Sequence, residues 1–257
     1  MFSNRHAESR QKAQRLIKEG SVLVDGKTLT KASEDIDEST EHMVVILSEE
    51  RYVGRGGLKL AGALDAFGLD VAGLTALDVG ASTGGFTDCL LQRGAAHVIA
   101  VDAGEGQLAE KLQNDGRVLS MERTNARELT REMIGGKTVD LIVMDVSFIS
   151  ATYIIPAVYN VLADNAHFVC LVKPQFEVGR AAVGKGGIVK DARAREAALA
   201  SVVEFAERIG FVSHGAILSP IKGGDGNVEY LVHFQKKDLN FGRHWYEDRY
   251  HSQRNKG

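Results

Sequence analysis

The stretch Leu77-Asp78-Val79-Gly80-Ala81-Ser82-Thr83-Gly84-Gly85-Phe86-Thr87 runs from an apolar segment through a glycine turn into a helix-forming segment. Small residues let the backbone bend sharply there and let a ligand approach it closely. From Gly73 onward the same order of apolar run, turn and amphipathic stretch recurs. Apolar runs predict strands over 75–79, 97–102, 117–121, 140–144, 168–172, 211–218 and 228–234. Helical periodicity predicts helices over 86–92, 107–113, 153–162 and 192–209. In the last of these Ala197, Val202, Phe205 and Ile209 fall near one face. Strands alternating with helices imply βαβ units, hence an α/β fold on a mostly parallel, seven-stranded sheet.

The turn lies at the carboxyl end of a strand, where open α/β sheets bind ligands. No Lys-Ser or Lys-Thr follows the glycines, so the phosphate-binding Walker pattern is absent. The dinucleotide spacing G-x-G-x-x-G is absent too, the run being Gly80-x-x-x-Gly84-Gly85. Asp78 would repel a pyrophosphate but suits a cationic amino-acid group. Asp102, ending the second strand, is placed to accept hydrogen bonds from ribose hydroxyls. Asn125, just past the third, can hydrogen-bond an adenine edge. With Gly80, Ala81, Ser82, Thr83, Gly84, Gly85 and Phe86, this set favours S-adenosylmethionine over NAD or ATP.

Asp145 and Lys173 each end an apolar run, and a parallel sheet projects both at its carboxyl edge beside such a cofactor. Glu229 sits in the final apolar run, and Lys59 stands before the first strand after Arg55-Gly56-Gly57-Leu58. Each alone reads most simply as a surface ion pair or strand-end cap. Two lysines and two acids together suit attack by a ribose 2′-hydroxyl on a methyl group. That hydroxyl is a poor nucleophile, and a neutral lysine can take its proton if burial or a nearby cation lowers the amine pKa.

The head of the chain differs in charge. Residues 1–31 carry seven Lys or Arg against three acids, and residues 32–50 carry seven acids with no Lys or Arg. Ala13, Leu16 and Ile17 recur at helical spacing opposite basic residues, with Ser9 as N-cap and Gly20 as stop. Val22-Leu23-Val24 then enters a tight turn at Asp25-Gly26. A small solvated cap and a basic helix laid on RNA phosphates both fit this pattern. The net charge of −3 gives no global nucleic-acid signal. Residues 1–20 show no apolar core of a signal peptide, and no run approaches 18 apolar residues. Two cysteines, Cys89 and Cys170, in apolar runs are no disulfide framework, so a cytoplasmic setting is expected. No metal is expected.

Arg55-Gly56-Gly57-Leu58-Lys59-Leu60, the 77–86 run, Asp145-Val146-Ser147-Phe148-Ile149-Ser150, Val172-Lys173-Pro174-Gln175-Phe176-Glu177 and Gly184-Lys185-Gly186-Gly187 together resemble the TlyA family. These are haemolysin-A-like ribosomal RNA 2′-O-methyltransferases with an FtsJ-type catalytic domain. The resemblance implies a class I, Rossmann-like methyltransferase fold, S-adenosylmethionine as cofactor and a cytidine ribose of 16S or 23S ribosomal RNA as target. It also implies a Lys-Asp-Lys-Glu tetrad falling on Lys59, Asp145, Lys173 and Glu229, with Lys173 as base. Residues 8–26 resemble an S4 RNA-binding domain, shortened at its start. The expected organisation is an S4-like α+β module at 1–50, a linker at 51–59, the methyltransferase domain at 60–240 and a basic tail at 241–257. Arg10, Lys12, Arg15 and Lys18 would hold RNA, with Arg55 in the linker and Lys185 and Lys190 in a glycine-rich loop that orders on it. Ribosomal RNA or ribosomal subunits are the expected partner. A catalytically inactive assembly protein and a membrane-active lysin are the competing readings, the latter without a spanning segment to support it.

Overall fold

The computed structural model describes residues 10–18, 22–25, 27–29, 31–34, 36, 40, 42–46 and 52–237. The chain divides into two compact units, Met1–Arg51 and Tyr52–Gly257. In the first, helix α1 (Arg10–Lys18) precedes strands β1 (Val22–Val24), β2 (Lys27–Thr28) and β3 (Val44–Ile46). The strands form an antiparallel sheet in the order β2-β1-β3. The apolar stripe of α1 supplies Leu16 and Ile17 to a core completed by Val22 and Leu29, while Arg10 is exposed. The hairpin turn contains Asp25 at φ 50°. Its carboxylate accepts from the Met43 backbone N–H (2.9 Å) and pairs with His42 (2.6 Å), tying the turn to β3. The β3 strand was not anticipated from the sequence. Ser9, Gly20, Gly26 and the 241–257 tail lie outside the described residues.

The second unit contains helix α2 (Gly56–Phe67), β4 (Thr75–Val79), α3 (Gly85–Gln92), β5 (His97–Val101), α4 (Glu110–Gln113), β6 (Val118–Met121) and β7 (Val139–Met144). There follow α5 (Ile155–Val161), β8 (Leu162–Val172), α6 (Pro174–Glu177), α7 (Ala192–Ile209), β9 (Phe211–Leu218) and β10 (Tyr230–Lys236). The sheet order is β6-β5-β4-β7-β8-β10-β9. All pairings are parallel except those of β10, which runs against both neighbours. The chain moves outward from β4 to β6 and then crosses back to β7. The topological switch therefore falls between β4 and β7, where open sheets of this kind bind ligands.

Alternation along the strands explains the layers. In β7, Leu141 and Val143 pack with Leu60, Leu64 and Leu90 of α2 and α3 on one face. Ile142 and Met144 pack with Val158, Val161, Val202 and Ala206 of α5 and α7 on the other. Phe168, Phe211 and Phe234 fill that second layer, with ring centroids 5.5–5.8 Å apart.

The structure corrects several expected boundaries. The segment read as a linker over 51–59 ends inside α2, so Lys59 is helical. No side chain caps this helix at Arg55, and two glycines open it, which hides its start. The helices expected over 107–113 and 153–162 shrink to 110–113 and 155–161, and β8 begins at Leu162. Glu229 precedes β10 rather than lying within it, although its carbonyl still accepts from the Ser219 N–H (2.9 Å).

Candidate active site

The loops after β4, β5 and β7 enclose a cleft with two lobes of about 200 and 430 Å³, which share Gly80, Ser82, Asp145 and Ser147. That size suits a small-molecule site. The smaller lobe is lined by Gly54, Arg55 and the turn residues Ala81, Thr83, Gly85 and Phe86, with Lys173. The larger is lined by Asp102, Gln107, Asn125, Phe148 and Ile149.

Gly80 adopts φ +85°, and a Cβ there would stand 2.4 Å from the Asp145 carbonyl oxygen. Only glycine allows β4 and β7 to release their chains this close together. The Asp102 carboxylate accepts N–H bonds from Ser82 and Gly104, each 2.7 Å, and so braces the glycine turn against the end of β5. Asn125 lies in the larger lobe, but its side chain works locally. Its amide oxygen caps the Arg127 N–H (3.1 Å) and its nitrogen donates to Glu128 (2.8 Å).

Two expected cofactor residues stand outside the lobes. Gly84 packs against α4, where a Cβ would meet Leu112 at 2.2 Å. Asp78 is fully buried beneath the turn, one oxygen accepting from the Thr87 hydroxyl (2.7 Å). Burial raises its pKa to about 7, against the lowering effect of that hydrogen bond. Its other oxygen, Oδ1, is buried and makes no hydrogen bond among the described residues.

The four charged residues form two ion pairs. Lys173 Nζ forms an ion pair with Asp145 Oδ1 at 2.5 Å and donates a hydrogen bond to the Ser147 hydroxyl at 2.8 Å. Lys59 Nζ is 2.5 Å from Glu229 Oε2, with the side chains only 9% and 3% exposed. Tyr230 lies opposite Val172, so the antiparallel register carried one step further sets Glu229 opposite Lys173. Asp145 is held by its own N–H to the Val79 carbonyl (2.9 Å). A Cβ on Gly56, one helical turn before Lys59, would lie 3.9 Å from Asp145 Oδ2. The strand ends and the first turn of α2 thus bring both pairs to one edge of the sheet. Lys173 and Asp145 line the cleft, and the Lys59–Glu229 pair is buried behind it.

The sequence reasoning did not single out Ser147 or Phe148. Phe148 is 91% exposed at φ +66°, an unusual backbone for an aromatic residue, and contacts Phe176 at 5.3 Å between centroids. Glu177 closes the same junction: its carboxylate accepts from the Ser150 hydroxyl (2.5 Å) and the Ala151 N–H (2.8 Å). Burial raises its pKa above the usual range despite those bonds. Of the expected RNA contacts, Arg55 lines the smaller lobe and donates to the Lys222 carbonyl (3.0 Å). Lys185 and Lys190 are exposed outside both lobes. Lys12, Arg15 and Lys18 fall in α1, and their side chains lie outside the described residues.

Residues 52–236 match the model of the FtsJ-like methyltransferases, and residues 4–42 match the S4 domain. The chain is 50% identical over 226 residues to the 16S/23S rRNA (cytidine-2′-O)-methyltransferase TlyA of Mycobacterium tuberculosis, covering 88% of this chain and 84% of that one. This chain belongs to the TlyA family. A solved structure from Streptococcus thermophilus, described as a candidate hemolysin, superposes with a TM-score of 0.75 at 44% identity, over 90% of this chain and 84% of that one. The fold extends further. A Listeria monocytogenes structure described as a candidate S-adenosylmethionine dependent methyltransferase aligns with TM-score 0.52 at 17% identity, over 70% of this chain and all of that one. The fold class read from the sequence, a methyltransferase α/β sheet with an S4 domain, therefore holds. No helix among the described residues is long and apolar enough to cross a membrane.

Proposed function

We propose that this protein transfers a methyl group from S-adenosylmethionine to the 2′-hydroxyl of a cytidine in ribosomal RNA, acting in the cytoplasm. The observation that carries this reading is the Lys173–Asp145 pair at the wall of a cleft whose other walls are the glycine turn and Asp102. The donor set fits the cofactor. Asp102 offers a carboxylate to ribose hydroxyls, the lobe with Asn125 and Ile149 has room for the adenine, and the glycine turn admits a close approach by the amino-acid end. When bound, the cofactor supplies an electrophilic sulfonium methyl.

The chain's own residues do the rest. Lys173, as the neutral amine, takes the 2′-hydroxyl proton as the oxygen attacks. Asp145 fixes the position of that amine. The Lys59–Glu229 pair holds the neighbouring strand end in place and sets the local field without exposing a further charge to the cleft. Much of the acceleration comes from holding nucleophile and methyl in line, which needs little more than rigid walls. Phe148 offers an aromatic face at the rim on which a nucleotide base can stack. The S4 unit recruits RNA through Arg10, Lys12, Arg15 and Lys18, and Arg55, Lys185 and Lys190 add contacts on the catalytic unit.

The test is incubation with labelled S-adenosylmethionine and unmodified 30S and 50S subunits, followed by mapping of the labelled nucleotide. Label on a cytidine ribose is expected. Cofactor binding without transfer to either particle would favour an inactive assembly protein. Leakage from liposomes would favour a lysin, the activity that the name of the Streptococcus thermophilus structure suggests.

A further inference from the structure

The hydrogen bond from Lys173 to Ser147 has a consequence for the direction of the amine. A protonated lysine has three N–H donors, and the neutral amine has two with one lone pair. Here Nζ makes one hydrogen bond, to the Ser147 hydroxyl at 2.8 Å, and stands in ion-pair contact with Asp145 Oδ1 at 2.5 Å. Ser147 and Lys173 both line the smaller lobe, and Ser147 also lines the larger. When Lys173 is neutral, the Ser147 hydroxyl holds one N–H, and the charge of the adjacent Asp145 carboxylate favours the other N–H on its side. The lone pair is left to the third direction.

We propose that Ser147 is a positioning residue that aims the Lys173 lone pair at the incoming 2′-hydroxyl. The inference rests on Lys173 acting as the base, as set out above. In the step concerned, the 2′-oxygen forms a bond to the methyl carbon, and the carbon–sulfur bond breaks with its electron pair left on sulfur. The hydroxyl proton passes to the Lys173 lone pair. With Asp145 alone, the amine is free to rotate about its terminal bond, and the lone pair samples directions that face no substrate. Ser147 closes that rotation. The hydroxyl is well suited, because it accepts from the amine without adding a second negative charge that would favour the protonated, non-basic form.

The segment carrying Ser147 is itself fastened. Asp145 is bonded to the end of β4, Phe148 lies on Phe176, and Ser150 and Ala151 are held by Glu177, four residues after Lys173. The charged and titratable groups around Lys173 are Asp145 on the loop after β7, Lys59 of α2 with Glu229 before β10, Arg55 in the shared lobe and Glu177 on α6. The buried Cys170 lies on its own strand. None of these supplies a neutral acceptor to the amine in the place of Ser147.

The test compares Ser147→Ala and Ser147→Thr with the wild-type full chain, using 30S and 50S subunits and labelled S-adenosylmethionine. Cofactor binding by calorimetry serves as the folding control. Removing one hydrogen bond of this kind should lower the single-turnover plateau rate roughly tenfold in Ser147→Ala. The ammonium form also loses an acceptor, so the ascending limb of the pH–rate profile moves to lower pH. Ser147→Thr keeps the hydroxyl and should restore both. A readout without turnover is the pH dependence of Lys173 acylation by acetic anhydride, followed by peptide mass spectrometry, which should show the same acid-ward shift. A Ser147→Ala plateau equal to wild type, or a lowered plateau with neither profile displaced, would overturn the inference while leaving the base assignment standing. A wild-type protein that binds cofactor but labels no ribose overturns the base assignment and this inference with it.

Discussion

Replacing Lys59 by methionine separates what the buried pair contributes to stability from what it contributes to catalysis. The Lys59 and Glu229 side chains are 9% and 3% exposed and sit 2.5 Å apart. Methionine fills much of the lysine volume, so the dominant effect is an uncompensated Glu229 carboxylate in a buried place. Breaking a buried pair from one side costs about 3–5 kcal/mol. In a domain of this size that corresponds to a fall in Tm of very roughly 6–20 °C. The double variant Lys59→Met with Glu229→Met removes both charges and should recover most of that loss, because apolar replacements of buried pairs are often neutral. Urea unfolding of the wild type, both single variants and the double variant gives the coupling energy directly. Methyl transfer by the double variant should stay low despite its recovered stability. A loss below about 1 kcal/mol in Lys59→Met, the range of an exposed pair, would refute the reasoning. So would a double variant as unstable as the sum of the two singles.

Three further outcomes are expected. Asp102→Ala removes the carboxylate that accepts from Ser82 and Gly104. It should weaken S-adenosylmethionine binding by at least tenfold in calorimetry while leaving RNA binding unchanged, and unaltered cofactor affinity would rule out its role. Arg10→Glu with Arg15→Glu should weaken RNA binding in a filter assay and spare cofactor binding; equal loss of both would contradict a division of labour between the units. Burial lowers the His233 pKa from 6.5 to about 4, with His167 and His214 adding to the shift. The unfolded chain therefore takes up a proton below about pH 6.5 that the folded chain refuses until about pH 4. The resulting stability is complete above pH 6.5 and falls as the pH drops toward 4, by no more than about 3 kcal/mol. His233→Gln should flatten that part of the unfolding curve, and an unchanged slope would contradict the assignment.

The parallel strands were legible because short apolar runs ending in glycine turns carry their own boundaries, as at Val79-Gly80. The Asp145 and Lys173 positions followed from the same pattern, since a charge directly after an apolar strand has to emerge at the sheet edge. Helix α2 was not legible: Gly56 and Gly57 open it and no capping side chain marks its start. It is buried against α3 rather than presenting a clean polar face. The partnering of Lys59 with Glu229 joins positions 170 residues apart. No local pattern distinguishes that arrangement from a pair between Lys59 and Asp145. The burial of Asp78 was not legible either, because a strand residue's face depends on the layer behind it, and the Thr87 hydroxyl that bonds one of its oxygens comes from α3. Ser147 and Phe148 stood within the motif that carried the family resemblance. Phe148 there adopts a left-handed backbone that its residue type does not suggest.

On the proposed mechanism, the Lys173 amine, paired with Asp145 at the cleft wall, takes the ribose proton. Its most direct test is single-turnover methyl transfer by Lys173→Ala, with S-adenosylmethionine affinity measured on the same preparation. The rate should fall at least about 10²-fold, in the range of a lost general base, with cofactor affinity within a few fold of wild type. Turnover near the wild-type rate, with the cofactor bound as tightly, would contradict it.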